Sequence, residues 1–382
     1  MAIGFNLIGF ATANFGLGVA LRNTAALLES LGHPFGVLDI DPGGNRTGHD
    51  FSARAHFLEA GGPLPHPVNL FHMNPPGVRG IARDLPGLVD MASKRNVCVP
   101  YWELPRLPAS WKPVLDGMDL VLAPSRFIEA AIAEAGVTAP CAYYRQTLAL
   151  PHSAPDRARW DLPEGRTAFL FSFDISSGVQ RKNPLAVLEA FQRAFPDGRA
   201  LLIVKINNPD LNGSARAVVD RFKSIAAGLP NVRILDRALP YADLASLFAS
   251  VDAYVSLHRG EGLGLGMLEC MALGKPVIAT AWSGNMDFMD PGNSCLVPYD
   301  LIPLDPGTQY FAVSEGVEQV WADPSVAIAA DWMFRLDASP ALRSDIGEKA
   351  KASVAAYLRE AERGAVFTLV ERVCAASPKG VS

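Results

Sequence analysis

Several broad classes of protein are excluded by what this sequence lacks. It has no run of five or more basic residues, and 34 basic against 39 acidic side chains leave a formal net charge of −5. A general nucleic-acid binder would show a basic patch instead, so no nucleic-acid partner is expected. No uninterrupted apolar segment reaches the length of a membrane span. Cysteine is sparse and odd in number: Cys98, Cys141, Cys270, Cys295 and Cys374 are scattered and form no C-x-x-C pair. That pattern disfavours a structural zinc site and favours a reducing compartment. The apolar N-terminus ends in Ala11-Thr12-Ala13, a loose mimic of a signal-peptidase site. No Lys or Arg precedes it, so Ile3–Phe10 reads better as a first strand than as a leader. A cytoplasmic protein is expected.

At 382 residues and 49% hydrophobic content, the chain is globular and long enough for two domains of ordinary size. Short apolar runs alternate with helical patterns throughout, which indicates an α/β fold with parallel sheets. In the first half, Ile3–Phe10, Val68–Phe71, Asn96–Val99 and Leu120–Ala123 read as strands, and Gly18–Leu31 as a helix closed by Gly32. A second series starts at Ala168–Phe173 and continues through Leu201–Lys205, Val232–Leu235 and Ala253–Leu257. Between the two series lies the polar, Pro-bearing stretch Leu150–Asp156, which reads as a linker. The expected domains are therefore residues 1–150 and 157–359. Two amphipathic helices, Ser344–Tyr357 and Arg359–Cys374, close the chain.

The densest pattern runs from His258 to Asp287. Glu261 and Glu269 stand eight positions apart, with Gly262, Gly264 and Gly266 between them. A buried strand precedes the glycines and a helix over Leu265–Leu273 follows, capped by Gly274. The glycines thus form a strand-to-helix loop, where free backbone N–H groups and the helix dipole hold an anion such as a diphosphate. Their lack of side chains permits close approach. Carboxylates are poor partners for phosphate and good acceptors for hydroxyls, so the loop is expected to hold a sugar beside an anion. The competing reading is a glycine-rich turn with a carboxylate stabilising the helix start.

The pattern E-G-x-G-L-x-x-L-E-x-M-A-x-G-K-P-V-I-A-T, followed by S-G-N-M-D, resembles the donor-site signature of retaining glycosyltransferases of family 4. That resemblance implies the GT-B architecture, two Rossmann-like domains facing a cleft, with a final helix over about 360–378 crossing back to the first domain. It implies a nucleotide-diphosphate-sugar donor, with Glu269 on the ribose and Glu261 on the transferred sugar. Gly262, Leu263, Gly264 and Leu265 would line the diphosphate. The segment Phe171–Pro184 ends in R-K-N-P, where Asn183 suits an N-cap and Pro184 the first helical position. Arg181 and Lys182 sit just before that helix, within reach of the charge that builds on a leaving diphosphate. Family members usually carry the Arg about five residues before the Lys. Here that position falls near Ser177, and the Arg is adjacent to the Lys instead. No D-x-D stands where a metal-dependent transferase would need one, so no metal or other cofactor is expected.

Further candidates lie at predicted strand ends. His258 and Arg259 precede Glu261 at the ligand edge of an open sheet, and Asn285 can offer its side chain to the sugar. Gly16-Leu17-Gly18 follows the first strand as a glycine loop able to meet donor or acceptor, although Leu21 breaks a full dinucleotide fingerprint. His72, Trp102 and Ser125 are acceptor-side candidates. Glu103 occupies the neighbourhood where many family members carry a His, and can orient an acceptor hydroxyl or act as its base. The W-E-L-P and R-K-N-P segments resemble those of bacterial surface-polysaccharide enzymes. They point to a saccharide or lipid-linked acceptor, with peripheral association at the inner face of the plasma membrane. The rivals are a sugar-nucleotide epimerase, a phosphorylase, a dehydrogenase, and an inactive nucleotide-sugar-binding partner protein.

Overall fold

The computed structural model describes residues 2–43, 48–59, 62–208, 215–308, 310 and 313–375. The chain divides into two compact units, one formed by Met1–Ala149 with Leu358–Ser382 and the other by Leu150–Tyr357.

The first unit is built on a six-stranded sheet in the order β2-β1-β3-β4-β5-β6. Its strands are β1 (Phe5–Gly9), β2 (Phe35–Asp39), β3 (Val68–His72), β4 (Arg95–Cys98), β5 (Leu120–Ala123) and β6 (Cys141–Tyr143). Every pairing is parallel. Parallel sheets are covered on both faces, which is why β1, β3 and β5 are buried along their whole length. Phe5, Leu7, Leu70, Val97 and Leu122 pack against Leu21 and Leu28 of the helix Gly16–Ser30, and against Phe367 and Val370 of the last helix, Ala365–Ala375. That helix is set off from its long predecessor, Pro340–Glu362, by Gly364, whose φ of +64° ends helical propagation.

In the second unit the order is β12-β11-β10-β7-β8-β9. The strands are β7 (Ala168–Asp174), β8 (Leu201–Asn207), β9 (Val232–Asp236), β10 (Ala253–Ser256), β11 (Val277–Thr280) and β12 (Cys295–Val297), again all parallel. Phe169, Phe171 and Phe173 alternate onto one face and join Phe191, Phe222 and Met333 from three helices in a single core. The opposite face carries the helices Tyr241–Ser250 and Leu265–Ala272, with the Phe248 and Tyr254 rings 5.9 Å apart. An antiparallel pair, β13 (Tyr299–Pro303) and β14 (Val320–Pro324), is added after β12. Both units are Rossmann-like, alternating strands with helices around a parallel sheet.

Candidate active site

In the second unit the chain crosses from one side of its sheet to the other between β7 and β10. In open α/β sheets the carboxyl ends of strands flanking such a reversal leave a crevice that binds ligands. Three loops meet there, after β7, β10 and β11, and backbone contacts lock them together. Arg259 N–H donates to Arg181 O (2.7 Å), and Asn183 Nδ2 donates to Leu257 O (3.1 Å). Glu261 N–H donates to Ser283 Oγ (2.8 Å), while Gly284 N–H returns to Glu261 O (2.9 Å). A Cβ on Gly284 would lie 2.1 Å from Gly262 O, so the loops approach as closely as backbone allows. Gly264 takes φ +94°, a conformation open to glycine, and starts the helix Leu265–Ala272 with no side-chain cap. Its first amides therefore face the crevice without a competing acceptor from a side chain.

Glu261 is the hub of the charged groups. Its carboxylate is 7% exposed, is bound by Lys182 Nζ, and has Arg181 Nη1 3.1 Å away. Burial pushes the carboxyl pKa up, but the charges of Lys182 and Arg181 outweigh that and hold it down at about 2. Glu261 is ionised at neutral pH, and two cations against one carboxylate leave the triad net positive. His258, fully buried, contributes no charge, because burial lowers its pKa. Its Nε2 faces Trp282 O and Asn285 Oδ1, both at 3.1 Å, and so carries the proton, while Nδ1 accepts from Ser256 Oγ at 3.0 Å.

Arg181 is held within the protein. It was expected to meet the diphosphate, yet its guanidinium is buried and each of its nitrogens has an acceptor within the protein. Nε donates to Tyr310 Oη (2.9 Å), Nη1 to Gly260 O (2.5 Å) and Nη2 to Ser177 O (2.8 Å). Arg181 acts on Glu261 and the loops, whereas Lys182, its side chain 18% exposed, is the cation facing outward. Asn183 is the N-cap of the helix Pro184–Ala194, as expected, although its side chain makes no capping bond. It adopts φ +55° and turns its amide to Leu257 O, ending the short helix Val179–Lys182 before Pro184 opens the next. The Asn285 amide is likewise committed, since Nδ2 donates to Thr280 O (3.0 Å) and Oδ1 faces His258. The amide thus bridges the loops after β10 and β11.

Glu269 lies on the helix that Gly264 starts, 4% exposed, and accepts a hydrogen bond from Tyr241 Oη at 2.6 Å. Leu263 is buried, and Leu265 opens the helix half-buried. Sequence reasoning missed Tyr241 and Tyr310, and named Ser283 only as part of its loop. Tyr310 lies outside the motif and carries no local signal. Ser283, inside the quoted S-G-N-M-D, has φ +80°, a strained value for serine that suits a tight ligand-edge loop.

The remaining candidates belong to the first unit. Gly16 and Gly18 are not in a loop but in the first turn of the helix Gly16–Ser30. A Cβ on Gly18 would lie 2.5 Å from Ala13 O and 2.7 Å from Phe10 O, so this glycine lets the chain fold back on its own helix. Arg22 pins the same turn through Ala11 O (2.6 Å) and Ala13 O (2.9 Å). Ser125 is the N-cap of the helix Arg126–Glu134, its Oγ accepting from Ile128 N–H, which accounts for it structurally. Trp102 is buried edge-on against Trp111 and donates Nε1–H to Arg106 O (2.7 Å). Glu103 is half-buried in the following loop position. His72 ends β3 beside Gly9 of β1, at this sheet's own reversal point, fully buried, and among the described residues neither ring nitrogen has a hydrogen-bond partner. Burial lowers its pKa to about 3, so the ring is neutral and can both donate and accept.

Among the described residues no group of three or more His, Cys, Asp or Glu side chains is placed to hold a metal ion. No described helix is long and apolar enough to cross a membrane.

Residues 177–304, which contain all three loops, match the family described as glycosyl transferases group 1. The fold is similar to that of sucrose-phosphate synthase from Thermosynechococcus elongatus, with TM-score 0.71 and 17% identity, over 98% of this chain and 100% of that one. Anabaena HepE, solved with UDP and glucose, superposes with TM-score 0.66 at 14% identity over 97% and 100% of the two chains. A UDP-forming α,α-trehalose-phosphate synthase from Burkholderia vietnamiensis gives 0.60 at 13% over 98% and 99%. The fold is GT-B. No curated protein sequence matches the chain.

Proposed function

We propose that the chain is a retaining glycosyltransferase that moves a sugar from a nucleotide-diphosphate-sugar donor to a saccharide or lipid-linked acceptor, in bacterial surface-polysaccharide synthesis. The observation that carries this reading is the Lys182–Glu261–Arg181 triad, set at a sheet reversal beside the uncapped start of the helix Leu265–Ala272. The match of residues 177–304 to a glycosyl transferase family supports it. So do the names of the similar structures, two of which are sugar-phosphate synthases and one of which holds UDP and glucose.

In this reading the diphosphate lies against the amides at the start of that helix, and Lys182 exchanges Glu261 for a phosphate oxygen. Negative charge grows on the leaving nucleoside diphosphate as the glycosidic bond breaks, so a cation and a helix N-terminus aimed there stabilise the transition state more than the ground state. Glu261 accepts from hydroxyls of the transferred sugar. Glu269, oriented by Tyr241, accepts from the ribose hydroxyls. Since Lys182 and the helix dipole meet the leaving group, the reaction proceeds without a divalent cation. The acceptor is held by the first unit, where His72 and Glu103 remain candidates, and lipid-linked acceptors imply peripheral contact with the membrane.

The test is incubation with UDP-, GDP- and ADP-sugars, reading release of free nucleoside diphosphate with and without EDTA. Proton NMR of the product then compares the anomeric configuration of donor and product. Inversion refutes the retaining assignment, and loss of turnover in EDTA refutes charge neutralisation by Lys182. Tight nucleotide binding without release under any condition points instead to an inactive binding partner.

A further inference from the structure

Lys205 is a buried lysine in an apolar strand, L-L-I-V-K-I-N, and no part of the site described above uses it. It is 3% exposed. Its Nζ donates to Ile206 O (3.1 Å) and weakly to Asn207 Oδ1 (3.4 Å), and among the described residues no carboxylate lies within ion-pairing distance. An ammonium carries three donors, so one is left without a partner among the described residues. Buried lysines are rare unless paired, because desolvating the charge is costly. Burial accordingly pushes the Lys205 pKa down to about 8, only partly offset by Asp174 and Asp236, while Arg237 adds to the lowering.

The sheet fixes where this donor lies. Lys205 is level with Ser172 on β7 and with Leu235 on β9. Ser172 is bonded to Tyr254 Oη (2.8 Å), and a Cβ on Gly266 would lie 3.0 Å from that same phenol. Ser172, Tyr254 and Lys205 therefore share the face covered by the helix Leu265–Ala272, with Lys205 one strand further from β10. In the nucleotide-sugar reading, the groups that would hold one nucleotide lie along this edge. The glycine loop that would hold the diphosphate follows β10. Glu269, on the helix after that loop, is bridged to Tyr241, which follows β9. With strands ordered β10-β7-β8-β9, a nucleotide whose ribose meets Glu269 extends from β10 toward β9 and places its base over the end of β8.

We propose that Lys205 reads the nucleobase, donating its unused N–H to a keto oxygen and so selecting a keto base, uracil or guanine, over adenine. This inference rests on the nucleotide-sugar reading above. Where uracil carries O4 and guanine O6, adenine carries an amino group, itself a donor, so in the same pose the Lys205 N–H would face a second donor instead of an acceptor.

The test is calorimetric titration of UDP, GDP and ADP into the full chain and its Lys205→Met variant, which keeps the stem and removes the donor. The better of UDP and GDP should bind the wild type at least about tenfold more tightly than ADP, and in Lys205→Met that preference should fall to within about threefold. Lys205→Gln, which retains a neutral donor, serves if the Met variant melts early, and it should keep part of the preference. A wild type that prefers ADP, or an unchanged preference in the variants, overturns the proposal. A uniform loss for all three nucleotides overturns it too, since that would place Lys205 on the phosphates. If the wild type binds none of the three, the nucleotide-sugar reading itself fails.

Discussion

Replacing Glu261 by Gln keeps the shape of its loop and removes the carboxylate shared by Lys182 and Arg181. Burial alone would raise that carboxyl pKa; the two cations instead bring it to about 2, against 4.5 for an unperturbed glutamate. At about 1.4 kcal/mol per unit, the lowered pKa corresponds to on the order of 3 kcal/mol of folding stability. The group is nearly buried, so solvent screening removes little of this. Because the folded pKa lies below the unfolded one, the contribution is complete above about pH 5 and is lost as pH falls toward about 2. Roughly 1.4 kcal/mol is gone by about pH 3.5. Glu261→Gln leaves the buried Arg181 and the partly exposed Lys182 facing a neutral amide, and should unfold at neutral pH with about 3 kcal/mol less resistance, as expected for breaking a buried pair. On acidification the wild type loses the same contribution and the gap narrows. Urea unfolding of both proteins from about pH 7 to about pH 3.5 measures this directly. A gap that stays constant with pH, or no gap at neutral pH, refutes a depressed Glu261 and with it the charged triad.

Other outcomes follow from individual contacts. Lys182→Ala should lower kcat more than it weakens donor binding, and a pure rise in KM with kcat intact would mean that Lys182 binds ground and transition states alike. Glu269→Ala should weaken nucleoside diphosphate binding by about 1.5–3 kcal/mol, read by calorimetry. Tyr241→Phe should cost less, about 0.5–1.5 kcal/mol, and lose most of its effect when Glu269 is already absent. Ser125→Ala should cost about 1 kcal/mol of thermal or urea stability through its lost cap, with nucleotide affinity unchanged.

The strands that carry the two sheets were legible because buried parallel strands read as unbroken apolar runs. Leu120–Ala123 ends where the run ends, and Ala168–Phe173 misses its strand by a single residue. The edge strands β2, β6 and β12 were less visible, being short and flanked by polar or glycine-bearing segments. At the site, spacing alone located the glycine loop and both glutamates, since that chemistry is local in sequence. What it could not reveal is which side chains already have partners within the protein. Arg181, Asn285 and Ser125 are the residue types that bind ligands, but their hydrogen bonds go to Gly260 O, Thr280 O and Ile128 N–H. The bond from Lys182 to Glu261 joins residues 79 positions apart, and Tyr310 lies beyond the motif altogether.

The adjacency of Arg181 and Lys182, unusual beside the wider spacing of the motif it resembles, is explained by their different fates. A guanidinium is a rigid fork, and here its nitrogens are fixed by a phenol and two backbone carbonyls. An ammonium on a flexible stem is a point charge that can change partners. If Lys182 were the sole partner of Glu261, moving it onto a phosphate would strand a buried carboxylate, at a cost of several kcal/mol. Arg181 would prevent that, because its Nη1 lies 3.1 Å from Glu261 and its guanidinium is held by Tyr310, Gly260 and Ser177 independently of Lys182. The buried cation therefore makes the mobile one usable. Without it, the exchange of Glu261 for a diphosphate would oppose donor binding instead of accompanying it.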